Sequence, residues 1–350
     1  MSDNDHRSPA SPIREPAASP VDRAAVEMAW QLCLALVSQR RAAAEPEEGE
    51  YRLQTGTGHA PALRLTEPGD PHAVARWLRA TGWQVAPTWP PAAVELLNLY
   101  WPMLAAPQGI AVAQLCQSLD GWIATRDGDV SALLSVALRR HRLRLRALAD
   151  AIVIGASIAA ADDPALRDNA GPQDGLPMRV VLDPTARLSP ALALFNDARA
   201  PAIVVCGTDH QRLAESRWGK GRVIGVPVFK RRLDLKALLA QLRERELDVV
   251  LVEGGGATIA HFLDAQCLDR LHLAQVGVLL GSGREGLHVP GSALSPARAP
   301  RRPDARVYRI GDDVMWDCDL RAQRDARAAP EDARQAAARL VLPGEFERIA

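Results

Sequence analysis

The segment Asp248-Val249-Val250-Leu251-Val252-Glu253-Gly254-Gly255-Gly256-Ala257-Thr258 constrains this chain more than any other. Four apolar residues, three of them β-branched, read as a buried strand. An acid and three glycines follow, and then Ile259, Phe262 and Leu263 recur at helical spacing. The reading is strand, glycine turn, helix. Glycine lets the backbone approach a ligand, and a helix N-terminus presents free N–H groups and partial positive charge. A phosphate or diphosphate fits such a turn. A tight βα turn that merely needs small residues fits it equally well, and the turn alone does not separate the two. Glu253 at the strand's end favours a functional role, because a carboxylate there reads a hydroxyl or an amine.

Other segments alternate in the same way. Strands are expected at 110–116, 150–155, 179–183, 202–206 and 223–226, with a helix over 235–246 and later strands at 271–280, 306–310 and 313–320. Strands alternating with helices imply an α/β fold with a mainly parallel sheet, and the late strand pair implies an antiparallel edge. Upstream, residues 21–43, 71–81 and 91–104 read as helices, and 130–148 as one or two more. Residues 1–20 are polar and proline-rich and read as disordered. The expected domains are an N-terminal extension of unassigned role over 21–105, a main domain over 106–321 and a charged tail over 322–350.

Composition removes several classes of function. Lys plus Arg and Asp plus Glu both number 42, so no net field draws the chain to nucleic acid or to an anionic membrane. Five cysteines include no C-x-x-C pair, so neither a zinc site nor a disulfide framework is indicated, and the expected location is the cytoplasm. The apolar run 151–161 is too short to span a bilayer. No metal is expected. No G-x-S-x-G elbow or phosphate-binding G-x-x-x-x-G-K-[ST] loop is present. Gly281 to Gly286 spells G-x-G-x-x-G, but Pro290 and the absence of helical period argue against a dinucleotide fingerprint. The cluster Arg139, Arg140, Arg142, Arg144 and Arg146 lies on an expected helix and offers either a solvated face or a phosphate clamp. His272 reads as a structural strand residue.

Several of these segments together resemble the reductase domain of riboflavin biosynthesis, the C-terminal half of the bifunctional deaminase–reductase. The matching pieces are Ser118-Leu119-Asp120-Gly121, the run Arg146 to Gly155, Asp162-Asp163-Pro164-Ala165-Leu166, Arg179 to Asp183, Leu251 to Gly256, and Asp269 to Leu273. The resemblance implies a dihydrofolate-reductase-like fold, NADPH as cofactor, and reduction of the ribose of 5-amino-6-(5-phosphoribosylamino)uracil to a ribityl chain. It implies Gly254, Gly255, Gly256 and Thr258 as the diphosphate turn and Gly155, Ala156 and Ser157 as a second cofactor wall. It also implies Asp162 near the reacting ribose, Glu253 and Asp120 around substrate and nicotinamide, and Arg146 and Arg167 toward the substrate phosphate. A homodimer is the family default. The sequence departs from the family at Ile158, where Thr is usual, at Asn169, where Arg is usual, and at Gly277, where Pro is usual. Reduction of another small heterocycle, or nucleotide binding without catalysis, therefore stays open. For the distinction of NADPH from NADH, Arg212, Arg217, Lys220 and Arg222 are candidates to meet a 2′-phosphate.

Overall fold

The computed structural model describes residues 20–42, 45–56, 59–87, 89–106, 108–164, 166, 176–288 and 303–321. The chain divides into two compact units, Met1–Trp101 and Pro102–Ala350. Residues 1–19 of the expected disordered leader and the charged tail over 322–350 lie outside the described residues, while Pro20 opens α1.

The first unit holds helix α1 (Pro20–Arg41) and strands β1 (Gly49–Gly56), β2 (His59–Thr66), β3 (Ala75–Leu78) and β4 (Gly82–Val85). Helix α2 (Pro91–Leu104) follows, beginning and ending where its leucine pattern predicts, and the boundary between units falls within it. The four strands form an antiparallel sheet in the order β2-β1-β3-β4. The helix expected over 71–81 is not formed. Ala75 and Trp77 are buried while Arg76 between them is exposed, which is strand alternation. Gly82, with φ of 72°, turns the chain so that Trp77 pairs with Trp83.

The second unit is an α/β sandwich built on strands β5 (Ile110–Ser118), β6 (Trp122–Ala124), β7 (Ala151–Gly155), β8 (Met178–Leu182), β9 (Ala202–Gly207) and β10 (Val223–Val226). They are followed by the short β11 (Val228–Phe229) and β12 (Arg232–Leu233), then β13 (Val249–Val252), β14 (Arg270–Val276), β15 (Arg284–Glu285), β16 (Asp304–Ile310) and β17 (Asp313–Asp319). Helices α3 (Val136–Leu148), α4 (Ala156–Asp162), α5 (Gln211–Trp218), α6 (Leu235–Arg243) and α7 (Gly256–Asp264) join them. Nine strands make one sheet, β10-β9-β8-β7-β13-β5-β14-β17-β16. Every pair from β10 to β14 is parallel, and β17 and β16 close the edge antiparallel.

Strand β13 sits at the centre with all four residues buried, as its unbroken apolar run requires. Valine, isoleucine and leucine side chains of β7, β8, β9 and β13 pack with Ile259 and Phe262 of α7 and Leu238 and Leu242 of α6. Two buried carboxylates pin the strand entrances. Asp150 accepts from the Val249 amide at 2.9 Å, and Asp269 accepts from the Ala111 amide at 2.8 Å. Because the parallel strands share one direction, the carboxyl ends of β5, β7 and β13 come out side by side, where ligands bind in open α/β sheets.

Candidate active site

At those carboxyl ends lies a cavity of about 450 Å³. Strand β5 contributes Gln114 and Cys116, α3 contributes Arg142 and Arg146, and α4 contributes Ser157, Ile158 and Asp162. Glu253 and the turn Gly254-Gly255-Gly256-Ala257 complete the floor, and Arg284 of β15 stands at the mouth.

The glycine turn is shaped as the sequence predicts, with one refinement. Gly255 is the N-cap of α7. The Thr258 amide already donates to the Gly255 carbonyl at 3.0 Å, whereas the amides of Gly256 and Ala257 have no backbone partner among the described residues, so they are available to an anion. The three glycines serve different needs. A Cβ on Gly254 would run into Thr258, and one on Gly256 would fall on the carbonyl of Gly286. Those two are small because neighbouring chain passes against them. At Gly255 the nearest atom would be Ile123 Cδ1 at 3.8 Å, so this residue has room on its cavity side. Thr258 packs its side chain against Gly155 and Gly254 and is not among the cavity-lining residues. Gly155 is likewise the N-cap of α4, and of the second expected wall Ser157 lines the cavity.

Glu253 and Arg146 face each other across the cavity floor. Arg146 donates from Nε to Oε1 at 2.7 Å and from Nη2 to Oε2 at 2.6 Å, and both side chains are about nine-tenths buried. The guanidinium expected to reach for a substrate phosphate is therefore held by a carboxylate. Asp162 is exposed on the cavity wall at the end of α4. Its neighbour Asp163 turns away in the left-handed conformation, φ 36°, and accepts from the amides of Ala193 and Leu194 at 2.7 and 2.9 Å. The Asp-Asp pair thus divides into one residue on the cavity and one that ties down a loop.

Asp120 is not among the lining residues. It accepts from Ser118 Oγ at 2.6 Å and from the amides of Leu280 and Gly281 at 3.1 and 2.7 Å. The Ser118 hydroxyl and these two amides hold its carboxyl down at about 2. Its visible role is to anchor the segment that leads into β15 and Arg284. Arg167 and Asn169 lie outside the described residues.

Sequence reasoning did not single out Cys116, Gln114 or Arg284. Burial pushes the Cys116 thiol up to about 12, so it is neutral and a poor nucleophile. Arg142 stood only within a cluster. Its position four residues before Arg146 on one helix was the available signal. The expected 2′-phosphate candidates separate. Arg222 donates to the carbonyls of Ala202 and Phe195 at 3.2 and 2.6 Å, at the amino end of β9. Arg217 is used by the Ala186 carbonyl and the Trp218 ring. Arg212 is exposed in the first turn of α5. The G-x-G-x-x-G stretch forms β15, paired antiparallel with β6, and Gly283 and Gly286 are closed in by the carbonyls of Ala124 and Gly121.

A nicotinamide dinucleotide fits this donor set. The free amides of α7 would hold its diphosphate, and the cavity beside them would hold a small ring.

Comparison with known proteins agrees with this geometry. Residues 111–316 match the family model of the RibD C-terminal domain. The riboflavin biosynthesis protein RibD of Aquifex aeolicus is 31% identical over 200 residues, 57% of this chain and 54% of that protein. The chain thus spans about half the length of that RibD relative. The 2,5-diamino-6-ribosylamino-4(3H)-pyrimidinone 5′-phosphate reductase of Methanothermobacter thermautotrophicus is 31% identical over 211 residues, 58% of this chain and 94% of that protein. Among solved structures, RibD of Acinetobacter baumannii superposes with a TM-score of 0.50 at 21% identity, covering 65% of this chain and 62% of that one. The riboflavin biosynthesis reductase of Saccharomyces gives a TM-score of 0.50 at 20% identity, covering 64% and 99%. With the family model covering more than half of its length, this chain belongs to the RibD C-terminal domain family.

Proposed function

We propose that this chain is an NADPH-dependent reductase of riboflavin biosynthesis, converting the ribose of 5-amino-6-(5-phosphoribosylamino)uracil to a ribityl chain. One observation carries the reading. A single cavity joins the amide-rich start of α7, a carboxylate pair at Asp162 and Glu253, and guanidiniums from α3. Such a site can take an anionic dinucleotide and a phosphorylated, hydroxyl-rich substrate together. The cofactor supplies hydride when bound, and the protein supplies orientation, exclusion of water and charge.

The chain's own groups have separate tasks. Glu253, fixed by Arg146, cannot rotate freely and presents its remaining lone pairs to the cavity. Asp162, exposed on the facing wall, is placed to exchange a proton with a ribose oxygen. Leu133, Ile123 and Ile158 give the cavity apolar sides that shed water. Ile158 also favours a second reading, a reductase of a different small heterocycle, because it offers no hydroxyl where the family usually has Thr.

Purified protein mixed with NADPH and the phosphoribosylamino-pyrimidine should oxidise the dinucleotide in step with ribityl product. Tight NADPH binding with no turnover of that pyrimidine would shift the case to the second reading, and absence of dinucleotide binding would end both.

Cytoplasmic location and homodimerisation belong to the same proposal. The five cysteines are all free thiols, which suits a reducing compartment. Val307, Val314 and Trp316 are exposed along the antiparallel edge, with Val307 and Trp316 paired across strands. This apolar face suits a second copy of the chain. Sedimentation of the protein and of a Trp316→Lys variant tests it, since the variant should sediment as a monomer.

A further inference from the structure

Helix α3 presents two arginines to the cavity, Arg142 and Arg146, one turn apart on one face. The deeper one is saturated by Glu253. Among the described residues Arg142 has no hydrogen-bond or ion-pair partner, and its Nε is closed off from solvent with none of them to donate to. A guanidinium half out of water and without a counter-charge costs stability. Buried polar groups are otherwise satisfied almost everywhere in folded proteins, so an orphan on a cavity wall points to something that completes it from outside.

The surroundings leave Arg142 available. Glu253 is committed to Arg146. The neighbouring Cys116 thiol is neutral and supplies no anion. Arg284, the other cation of the cavity without a carboxylate partner among the described residues, is exposed. Burial, followed by the repulsion of Arg146, pulls the Arg142 guanidinium below its ordinary range, and an anion beside it would relieve both effects.

We propose that Arg142 is the specificity-determining residue that grips the phosphate ester of the substrate, while Arg146 acts as a positioning residue for Glu253. The assignment rests on the reductase reading for the identity of the ester, and on the unpartnered guanidinium for its place. It supplies the cation that Asn169 removes from the usual family pattern. The diphosphate of the cofactor is a separate anion, served by the amides of α7.

The test is calorimetric binding to the full chain with ribose 5-phosphate, ribose and NADPH as probes. Arg142→Gln should weaken ribose 5-phosphate by about 10- to 100-fold, the range for a hydrogen-bonded charged contact. Ribose and NADPH affinities should not change. Arg142→Lys should fall between, because it keeps the charge and loses the fork. The melting temperature of Arg142→Gln should hold or rise, since an unpaired buried cation has gone, whereas a structural arginine would give a fall. Unchanged ribose 5-phosphate affinity in Arg142→Gln, an equal loss for NADPH, or no binding of ribose 5-phosphate by the parent chain would each overturn the assignment. Failure of the reductase reading would look different: Arg142-dependent binding of ribose 5-phosphate with no oxidation of NADPH by the pyrimidine.

Discussion

Arg146 and Glu253 form a two-pronged ion pair on the cavity floor, 2.7 and 2.6 Å long, in which each side chain keeps only about a tenth of its surface in contact with solvent. Desolvating two charges is costly, and the pair persists because each satisfies the other. Removing one partner leaves an uncompensated charge inside the fold. Arg146→Met should therefore lower the unfolding free energy by about 3–5 kcal/mol. Arg146→Met with Glu253→Leu should recover much of that loss while remaining inactive. Urea denaturation of the single and double variants checks this, and two independent, additive losses would show that the pair is not coupled.

The glycine turn makes a second prediction, because its members are small for different reasons. Gly256→Ala forces a methyl group onto the Gly286 carbonyl. Overpacking of this kind costs about 1–3 kcal/mol. Gly255→Ala meets open space and an ordinary φ of −67°, so its stability should stay within about 1 kcal/mol of the parent. A larger substitution there, Gly255→Glu, should keep the fold and lose dinucleotide affinity. Equal melting temperatures for the two alanine variants would contradict the packing seen here.

How much of this was readable beforehand follows from the range of the determining interactions. The strand, turn and helix over 248–264 are local: an apolar run, glycines and a helical period all fall in one window. Helix α2 was legible for the same reason. The stretch 71–81 was not, since Val74, Ala75 and Leu78 fit a helical period while Ala75 and Trp77 fit alternation. What decides for the strand is the pairing of Trp77 with Trp83 and of Tyr51 with Ala75, which no local pattern encodes. At the site, Glu253 and Asp162 could be nominated by their place after a strand and in a motif. The partner of Arg146 could not, because 107 residues separate the two. The turn sequence points to Asp120, but the hydrogen bonds that define its role reach 160 and 161 residues onward.

Acid sensitivity is expected from a buried histidine pair behind α3. His141 Nε2 stands 3.1 Å from His272 Nδ1, with both rings buried, so one of the two nitrogens carries the shared proton. His272 Nε2 lies 3.3 Å from Asp317 Oδ1, at ion-pair distance but outside hydrogen-bond geometry, and Asp317 is gripped by Arg270. Burial and the neighbouring His272 keep His141 well below its ordinary value. Its folded form therefore resists a proton that the unfolded chain accepts below about pH 6.5. Stability is fully present above that pH and is lost as pH falls, by up to about 1.4 kcal/mol per pH unit for one such group. Burial raises the Asp317 carboxyl, but His272 and Arg270 outweigh it and hold it low, which adds a further loss at more acidic pH. Unfolding free energies at pH 7.5 and pH 5.5 should differ more for the parent than for His141→Gln. Parallel pH profiles would remove His141 as the cause.

The paired acids at the end of α4 separate stability from activity within two adjacent residues. Asp163 occupies the left-handed conformation and receives two amide hydrogen bonds from the loop at 193–194. Asparagine tolerates that conformation and alanine does not. Bonds to a charged acceptor contribute about 1.5–3 kcal/mol each, so Asp163→Ala should cost at least about 2 kcal/mol and Asp163→Asn distinctly less. Asp162 projects into the cavity and has no such anchoring bond to the described residues. Asp162→Asn should stay within about 0.5 kcal/mol of the parent, as surface changes do, yet lose most of its turnover if Asp162 has the proton-exchanging role proposed above. Its NADPH affinity should be retained. Thermal melts and steady-state rates on the three variants decide the matter: if Asp163→Ala abolishes turnover with no loss of stability while Asp162→Asn works normally, the two acids have been given each other's roles.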